Sequence, residues 1–325
     1  MTILVTGAGG FIASHLTEAL LHGGYKVRAL IHYNSRGSWG NLEGLKQDLK
    51  DNLDVRLGDV TDSYFMRDLV KDCDVVFHLA ALIGIPYSYH APASYVATNV
   101  QGTLNVLDAC RQSSIRRVVV TSTSEVYGTA IKTPIDETHP LQAQSPYSAS
   151  KIAADKLAES YFCSFDLPVT VVRPFNTYGP RQSARAAIPT IAAQIVAGLA
   201  EIRLGSLWPE RDLTFVEDTV AGFIALANCE DAVGQVINLG SGQKISIGAL
   251  AERMIRLSGK EIPVRSTEDR IRPDKSEVGV LLADTTKAHR LTGWAPHISL
   301  HQGLQRTLEY VATHLQEYRP NSYQQ

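Results

Sequence analysis

A basic surplus is the first thing this sequence lacks: 31 Lys and Arg stand against 33 Asp and Glu, a formal net charge of −2. So balanced a chain has no broad positive face for a nucleic-acid backbone or an anionic membrane, and neither partner is expected. Cysteine is scarce. The four residues, Cys73, Cys110, Cys163 and Cys229, are widely spaced without a metal-ligand pattern. They read as thiols in a reducing compartment, and no metal is expected. No stretch approaches the roughly 18 uninterrupted apolar residues of a membrane span. Met1–Val5 runs into a glycine turn before a signal-peptide core could form, so the cytoplasm is the expected location. The polar tail Arg319–Gln325 is expected to fray.

What is present is an ordinary globular composition, 44% hydrophobic and 20% charged over 325 residues, enough for one large core or two modest ones. Short apolar runs recur at Thr2–Thr6, Lys26–Ile31, Asp54–Leu57, Val75–Leu79, Arg117–Thr121, Thr170–Val172 and Gln235–Leu239. Amphipathic stretches lie between them, among them Ile12–His22, Ser63–Val70, Thr98–Gln112 and Ala149–Phe165. Strands apolar throughout and separated by helices indicate a parallel sheet covered on both faces, an α/β doubly wound (Rossmann) domain. After about Arg173 the pattern loosens into short helices and loops containing proline and arginine. Residues 1–172 plus about 213–240 are assigned to the dinucleotide-binding domain. Residues 173–212 plus 241–325 are assigned to a smaller, partly interleaved substrate domain.

Thr6-Gly7-Ala8-Gly9-Gly10-Phe11-Ile12-Ala13 joins the first strand to the first helix. Glycines there let backbone approach a pyrophosphate seated on the helix N-terminus, so Gly7, Gly10, Phe11 and Ile12 are candidate cofactor contacts. Ala13 stands where a third glycine is common. The second strand ends Ile31-His32-Tyr33-Asn34-Ser35-Arg36, without the carboxylate that usually holds the ribose hydroxyls of NAD. Arg36 is either a partner for a 2′-phosphate or a solvated loop residue, which leaves NAD and NADP open. Asp59 and Val60, after the third strand, are placed to touch adenine, and Leu79, Ala80 and Ala81 offer backbone to the cofactor. His78, inside an apolar strand, reads as a core residue.

Two clusters carry the chemistry. Tyr147 and Lys151 in Tyr147-Ser148-Ala149-Ser150-Lys151 share one helix face, and the ammonium is expected to lower the phenol's pKa and make it a usable base. Ser122-Thr123-Ser124-Glu125 follows a strand and adds hydroxyls and a carboxylate. Glu125 supplies a second base, suited to a proton on carbon.

With these motifs and Arg173-Pro174-Phe175-Asn176-Thr177-Tyr178-Gly179-Pro180-Arg181 in order, the chain resembles, over nearly its whole length, the extended short-chain dehydrogenase/reductases (the NAD-dependent epimerase/dehydratase family) acting on nucleotide sugars. The resemblance implies that Pro174 borders the nicotinamide and Asn176 contacts the sugar diphosphate. It makes Asn99 a buried strut near the cofactor, and Arg211 and Arg272 the holders of the diphosphate. Glu125 argues against a plain 4-epimerase, whereas the 4,6-dehydratases and the glucuronate decarboxylases of the family both carry a Glu in this set.

The segments 82–89, 179–189 and 33–41 resemble the dehydratases that begin legionaminic-acid biosynthesis, which act on nucleotide-activated N-acetylglucosamine. Ser88 and Arg185 join the substrate-binding candidates. The reaction so implied is a 4,6-dehydration of UDP- or GDP-N-acetylglucosamine to a 4-keto-6-deoxy sugar. Tyr147, Thr123 and Lys151 take the C4 hydroxyl proton and Glu125 takes the C5 proton. NAD or NADP stays tightly bound and is recycled within turnover. Ser124 stands where some dehydratases place the aspartic acid that protonates the leaving group, so that acid is unnamed. A glucuronate decarboxylase, with Arg185 or Arg211 receiving the carboxylate, is the alternative, and a non-catalytic cofactor-binding regulator a distant third. The family also implies a homodimer through a four-helix bundle built from the 98–112 and 149–165 helices.

Overall fold

The computed structural model describes residues 1–322; of the tail expected to fray, residues 323–325 lie outside the described residues. Among the described residues thirteen strands occur in chain order: β1 (Thr2–Thr6), β2 (Lys26–His32), β3 (Leu53–Gly58), β4 (Val75–His78), β5 (Arg117–Thr121), β6 (Val169–Pro174), β7 (Asn176–Tyr178), β8 (Ile202–Leu204), β9 (Glu210–Phe215), β10 (Val236–Leu239), β11 (Lys244–Ser246), β12 (Val264–Ser266) and β13 (Val280–Leu281). Seven form one parallel sheet in the order β10-β6-β5-β4-β1-β2-β3. The chain winds outward from β1 to β3 and then crosses back to β4, so the order reverses between β1 and β4. In such sheets the crevice beyond the strand ends at that reversal is where ligands bind.

Both sheet faces are covered because successive strand side chains point to opposite sides. Ile3, Val5, Val75, Phe77 and Val172 pack on one face with Leu16 and Leu20 of the Phe11–His22 helix and Phe223 of the Val216–Ala227 helix. Leu4, Val76, Val118, Val120 and Val171 pack on the other with Met66, Val106 and Ala158. The first cluster runs on without a break into Ile202, Leu250 and Leu304. Residues 176–281 supply the small sheets, in which β9 pairs with β7, β11 and β13, and β8 pairs with β12.

Two helical expectations need correction. The helix expected from Ala149 begins at Pro146, because Ser145 caps it reciprocally with Ser148 and proline suits the first turn. The helix expected over 98–112 begins as a π-turn, Val96–Gln101, before the α-helix Gly102–Arg111. That bulge turns Asn99 into the core.

Candidate active site

At the β1/β4 reversal, Gly7 has φ +71°, and a Cβ there would lie 2.9 Å from both Cα and N of Ala80. Only glycine allows this approach. The Phe11–His22 helix that follows has Gly10 as N-cap, with no side-chain cap and no acidic residue in its first turn. Its first N–H groups are therefore left for an anion, and the turn fits the pyrophosphate of a dinucleotide. Leu79 and Ala80 are held from behind, as Thr6 Oγ1 accepts from both their N–H groups at 3.1 Å. With those protons on its acceptor side, the Thr6 hydroxyl donates to His78 Nδ1 at 2.9 Å, while His78 Nε2 lies 3.0 Å from Thr103, whose hydroxyl donates to the Asn99 carbonyl. Burial, then Lys151, pulls His78 down to about 3, so it is a neutral core residue.

His32 pairs in register with Gly58, and His32 Nε2 lies 3.2 Å from Asp59 Oδ2, so the carboxylate that follows β3 sits beside the end of β2. Val60 is buried and Arg36 is exposed on its loop. Asn99 is a strut and not a surface for the cofactor: it is 1% exposed, donates to the Leu82 carbonyl and Ser150 Oγ at 2.9 Å, and accepts from Leu82 N at 2.8 Å.

Thr123, Glu125, Tyr147 and Lys151 converge beyond the end of β5. Thr123 caps the short turn Ser124–Tyr127, its Oγ1 accepting from Glu125 N at 3.2 Å. Lys151, 3% exposed, donates to the Thr121 carbonyl at 2.7 Å. Burial pulls its ammonium down to about 8, with Asp155 acting against the fall. The expected lowering of the phenol by Lys151 does not dominate in the free chain. Burial holds Tyr147 above its ordinary value, Thr123 works downward, and Glu125, Tyr95 and Asp155 raise it. Ser124 is 2% exposed within the turn.

The Glu125 charge acts on both Tyr147 and Arg211, raising the pKa of each. Arg211 is 6% exposed; it donates to the Val278 carbonyl at 2.8 Å and to Glu277 Oε1 at 3.2 Å, and Arg272 Nη1 lies 3.6 Å from the same oxygen. Asp212, fully buried, accepts from Ser241 N, Gly242 N and Ala283 N at 2.7–3.1 Å, which fixes β9 behind the arginine. Asn176 leaves a buried Oδ1 without a partner near the start of β7. Its amide is open to a ligand. Pro174 ends β6 beside Leu239.

One expected substrate contact is not brought in. Ser88 is fully buried and its hydroxyl donates to the Ile85 carbonyl at 2.7 Å, because a serine inside a short helix bonds the turn behind it. Arg185 is exposed, with its guanidinium near Gly84 and Tyr95 at the rim. Sequence reasoning missed Tyr95, whose ring meets that of Tyr147 edge-on at 6.2 Å and whose hydroxyl donates to the Gly84 carbonyl. It also missed Glu277, for which the only sequence signal is an acid five residues after Arg272.

The chain is similar to known proteins over nearly all its length. The low-salt glycan biosynthesis protein Agl12 of Haloferax volcanii is 34% identical over 312 residues, 95% of this chain and 98% of that protein. UDP-glucuronic acid 4-epimerase from Bacillus cereus, solved with UDP-glucuronic acid and NAD, superposes with a TM-score of 0.88 at 30% identity, over 96% of this chain and 99% of that one. DesIV, a dTDP-glucose 4,6-dehydratase from Streptomyces venezuelae solved with NAD, gives 0.89 at 28% identity, over 98% and 99%. A family model described as GDP-mannose 4,6 dehydratase matches residues 4–307. With its glycine turn at the sheet reversal and its Tyr147–Lys151 pair beside it, this chain belongs to the NAD-dependent epimerase/dehydratase family of extended short-chain dehydrogenase/reductases.

Proposed function

We propose that the protein is an NAD-dependent nucleotide-sugar 4,6-dehydratase acting on UDP- or GDP-N-acetylglucosamine, as in the first step of legionaminic-acid formation. The observation that carries this is the Ser124–Tyr127 turn, where Thr123 Oγ1 holds the Glu125 N–H at 3.2 Å and so sets a carboxylate just past β5, at the strand end to whose Thr121 carbonyl Lys151 is bound. A sugar whose diphosphate is held by Arg211 and Arg272 and whose O4 faces Tyr147 presents its C5 side to that carboxylate. Tyr147, with Thr123, receives the O4 proton, and Lys151 steadies the resulting negative charge. When bound, NAD would supply the hydride acceptor for C4 and the hydride donor for C6. The C4 ketone acidifies the C5 proton; Glu125 removes it and passes it to the departing C6 hydroxyl, which leaves as water, and a proton taken up at C5 balances the hydride delivered to C6. NAD is favoured over NADP because the related UDP-glucuronic acid 4-epimerase and DesIV were solved with NAD.

In this reading residues 173–212 and 241–325 form the nucleotide-sugar portion. The Gly102–Arg111 and Pro146–Phe165 helices pair with their counterparts in a second copy, and sedimentation would show a dimer. The experiment for the reaction is incubation with UDP- and GDP-N-acetylglucosamine, UDP-glucose and UDP-glucuronate, with the products read by NMR. A 4-keto-6-deoxy sugar from an N-acetylated substrate supports the reading. Carbon dioxide from the glucuronate sinks it in favour of the decarboxylase, and an unreduced 4-epimer sinks it in favour of epimerisation. Ser124, which cannot act as the carboxylic acid for the C6 leaving group, keeps a glucuronate decarboxylase (or a 4-epimerase) as the second reading.

A further inference from the structure

Arg272 is carried by residues 267–277, a stretch that packing does not hold. It makes two short turns, Glu268–Arg270 and Asp274–Ser276, and neither has a buried residue. Ile271, between them, is 44% exposed. A segment with so little burial keeps its place through polar bonds, and those at its two ends go to different parts of the fold. At the start, Thr267 N donates to the Leu204 carbonyl at 2.8 Å and Arg270 Nη1 to the Arg203 carbonyl at 2.9 Å, which ties the stretch to β8.

At the other end stands Ser276. Its hydroxyl donates to the Gln144 carbonyl at 2.7 Å. With that proton so used, the Tyr89 hydroxyl, 2.6 Å away, is the donor between the two. Gln144 grips the same turn a second time, its Nε2 donating to the Lys275 carbonyl at 3.0 Å while its Oε1 accepts from Thr129 N. Both partners belong to the wall that carries the reacting phenol. Gln144 comes just before Ser145, the cap of the Pro146–Phe165 helix, and Tyr89 packs against the cluster of Ile85, Tyr95 and Tyr147. Residues 267–277 thus run as a strap from β8 to that wall. Glu277, next to Ser276, lies 3.2 Å from Arg211 and 3.6 Å from Arg272. Arg211 is buried and fixed within β9, whereas Arg272 is half-buried on the strap, so its place follows from where the strap is fastened.

We propose that Ser276 is a positioning residue: its hydroxyl latches the strap to Tyr89 and Gln144, and so sets Glu277 and Arg272 beside Arg211 for a nucleoside diphosphate. The inference rests on the reading of Arg211 and Arg272 as the holders of the diphosphate.

The probes are UDP and GDP, titrated calorimetrically into the full chain. Ser276→Ala is expected to weaken binding by about threefold or more, and to raise KM for the nucleotide sugar by the same factor with kcat little changed. Ser276→Thr keeps the hydroxyl and should bind as wild type. Tyr89→Phe should give part of the loss, and Tyr89→Phe/Ser276→Ala should be no weaker than Ser276→Ala, because both changes act through one hydroxyl. Unmoved affinity in a folded Ser276→Ala, a threonine variant as weak as the alanine one, or single effects that multiply in the double variant overturns the proposal. A structural role alone lowers the melting temperature without the rise in KM. Arg272→Met separates the two levels. Wild-type nucleotide affinity in that variant, or a wild type that binds neither nucleotide, defeats the reading of the diphosphate site. Weakened binding there, with Ser276→Ala binding as wild type, defeats this inference alone.

Discussion

Lys151 donates to the Thr121 carbonyl at 2.7 Å, and that bond locks the Pro146–Phe165 helix onto the C-terminal end of β5. It leaves Tyr147 over the crevice where the sheet order reverses, on the same side as Thr123 and Glu125. An ammonium so placed is desolvated, which is why its pKa falls to about 8.

That value predicts an alkaline limit to activity. Lys151 holds its proton below about 8 and loses it above, so a step that needs the ammonium slows as pH rises through that value. A profile of kcat/KM against pH is expected to fall on its alkaline side near there. A rate still climbing at about pH 10, where an ordinary lysine titrates, contradicts it.

Glu125→Gln keeps the size of the side chain and removes the base. Oxidation at C4 is expected to proceed while elimination stops, so reduced nicotinamide accumulates on the protein after substrate is added and no 4-keto-6-deoxy sugar forms. Loss of product by about a hundredfold or more is expected for a missing general base. Normal product at a normal rate shows that another group removes the C5 proton.

Gly7→Ala places a methyl 2.9 Å from the Ala80 backbone at φ +71°. The left-handed conformation alone costs about 1–2 kcal/mol, and the clash pushes Ala80 out of the crevice. Calorimetry is expected to show NAD binding weakened by more than about tenfold, with a lowered melting temperature. Wild-type affinity would show that the cofactor does not use this turn.

Arg272→Met removes one of the two guanidiniums that share Glu277. A hydrogen bond to a charged group contributes about 1.5–3 kcal/mol, so KM for the nucleotide sugar should rise about tenfold or more with kcat little changed. Binding of UDP or GDP alone should weaken by the same factor. A fall in kcat at constant KM would place Arg272 in the chemistry and not in diphosphate binding.

That the strands form one parallel sheet covered on both faces was legible in the chain because they are largely apolar runs separated by helical stretches, with a glycine turn after the first. Tyr147 and Lys151 were legible for a simpler reason: four residues on a helix are neighbours whatever the tertiary fold. Helix starts were less so. Ser145-Pro146 is a capping signal, yet the reading began at Ala149, and a π-turn such as Val96–Gln101 leaves no mark that sequence periodicity can register.

By itself, then, the sequence determined the alternation of strand and helix, the glycine turn, and the residue types of the reacting set. These follow from local geometry and from apolar pattern, which act over a few residues. Only the tertiary structure decided that Asp59, just past β3, meets His32 at the end of β2, that Glu277 sits between Arg211 and Arg272, and that Arg173 grips Asp155. Each of these depends on strand register or on contacts between separate segments. A pairing across 66 residues, such as that of Arg211 with Glu277, leaves no trace in the spacing of either partner.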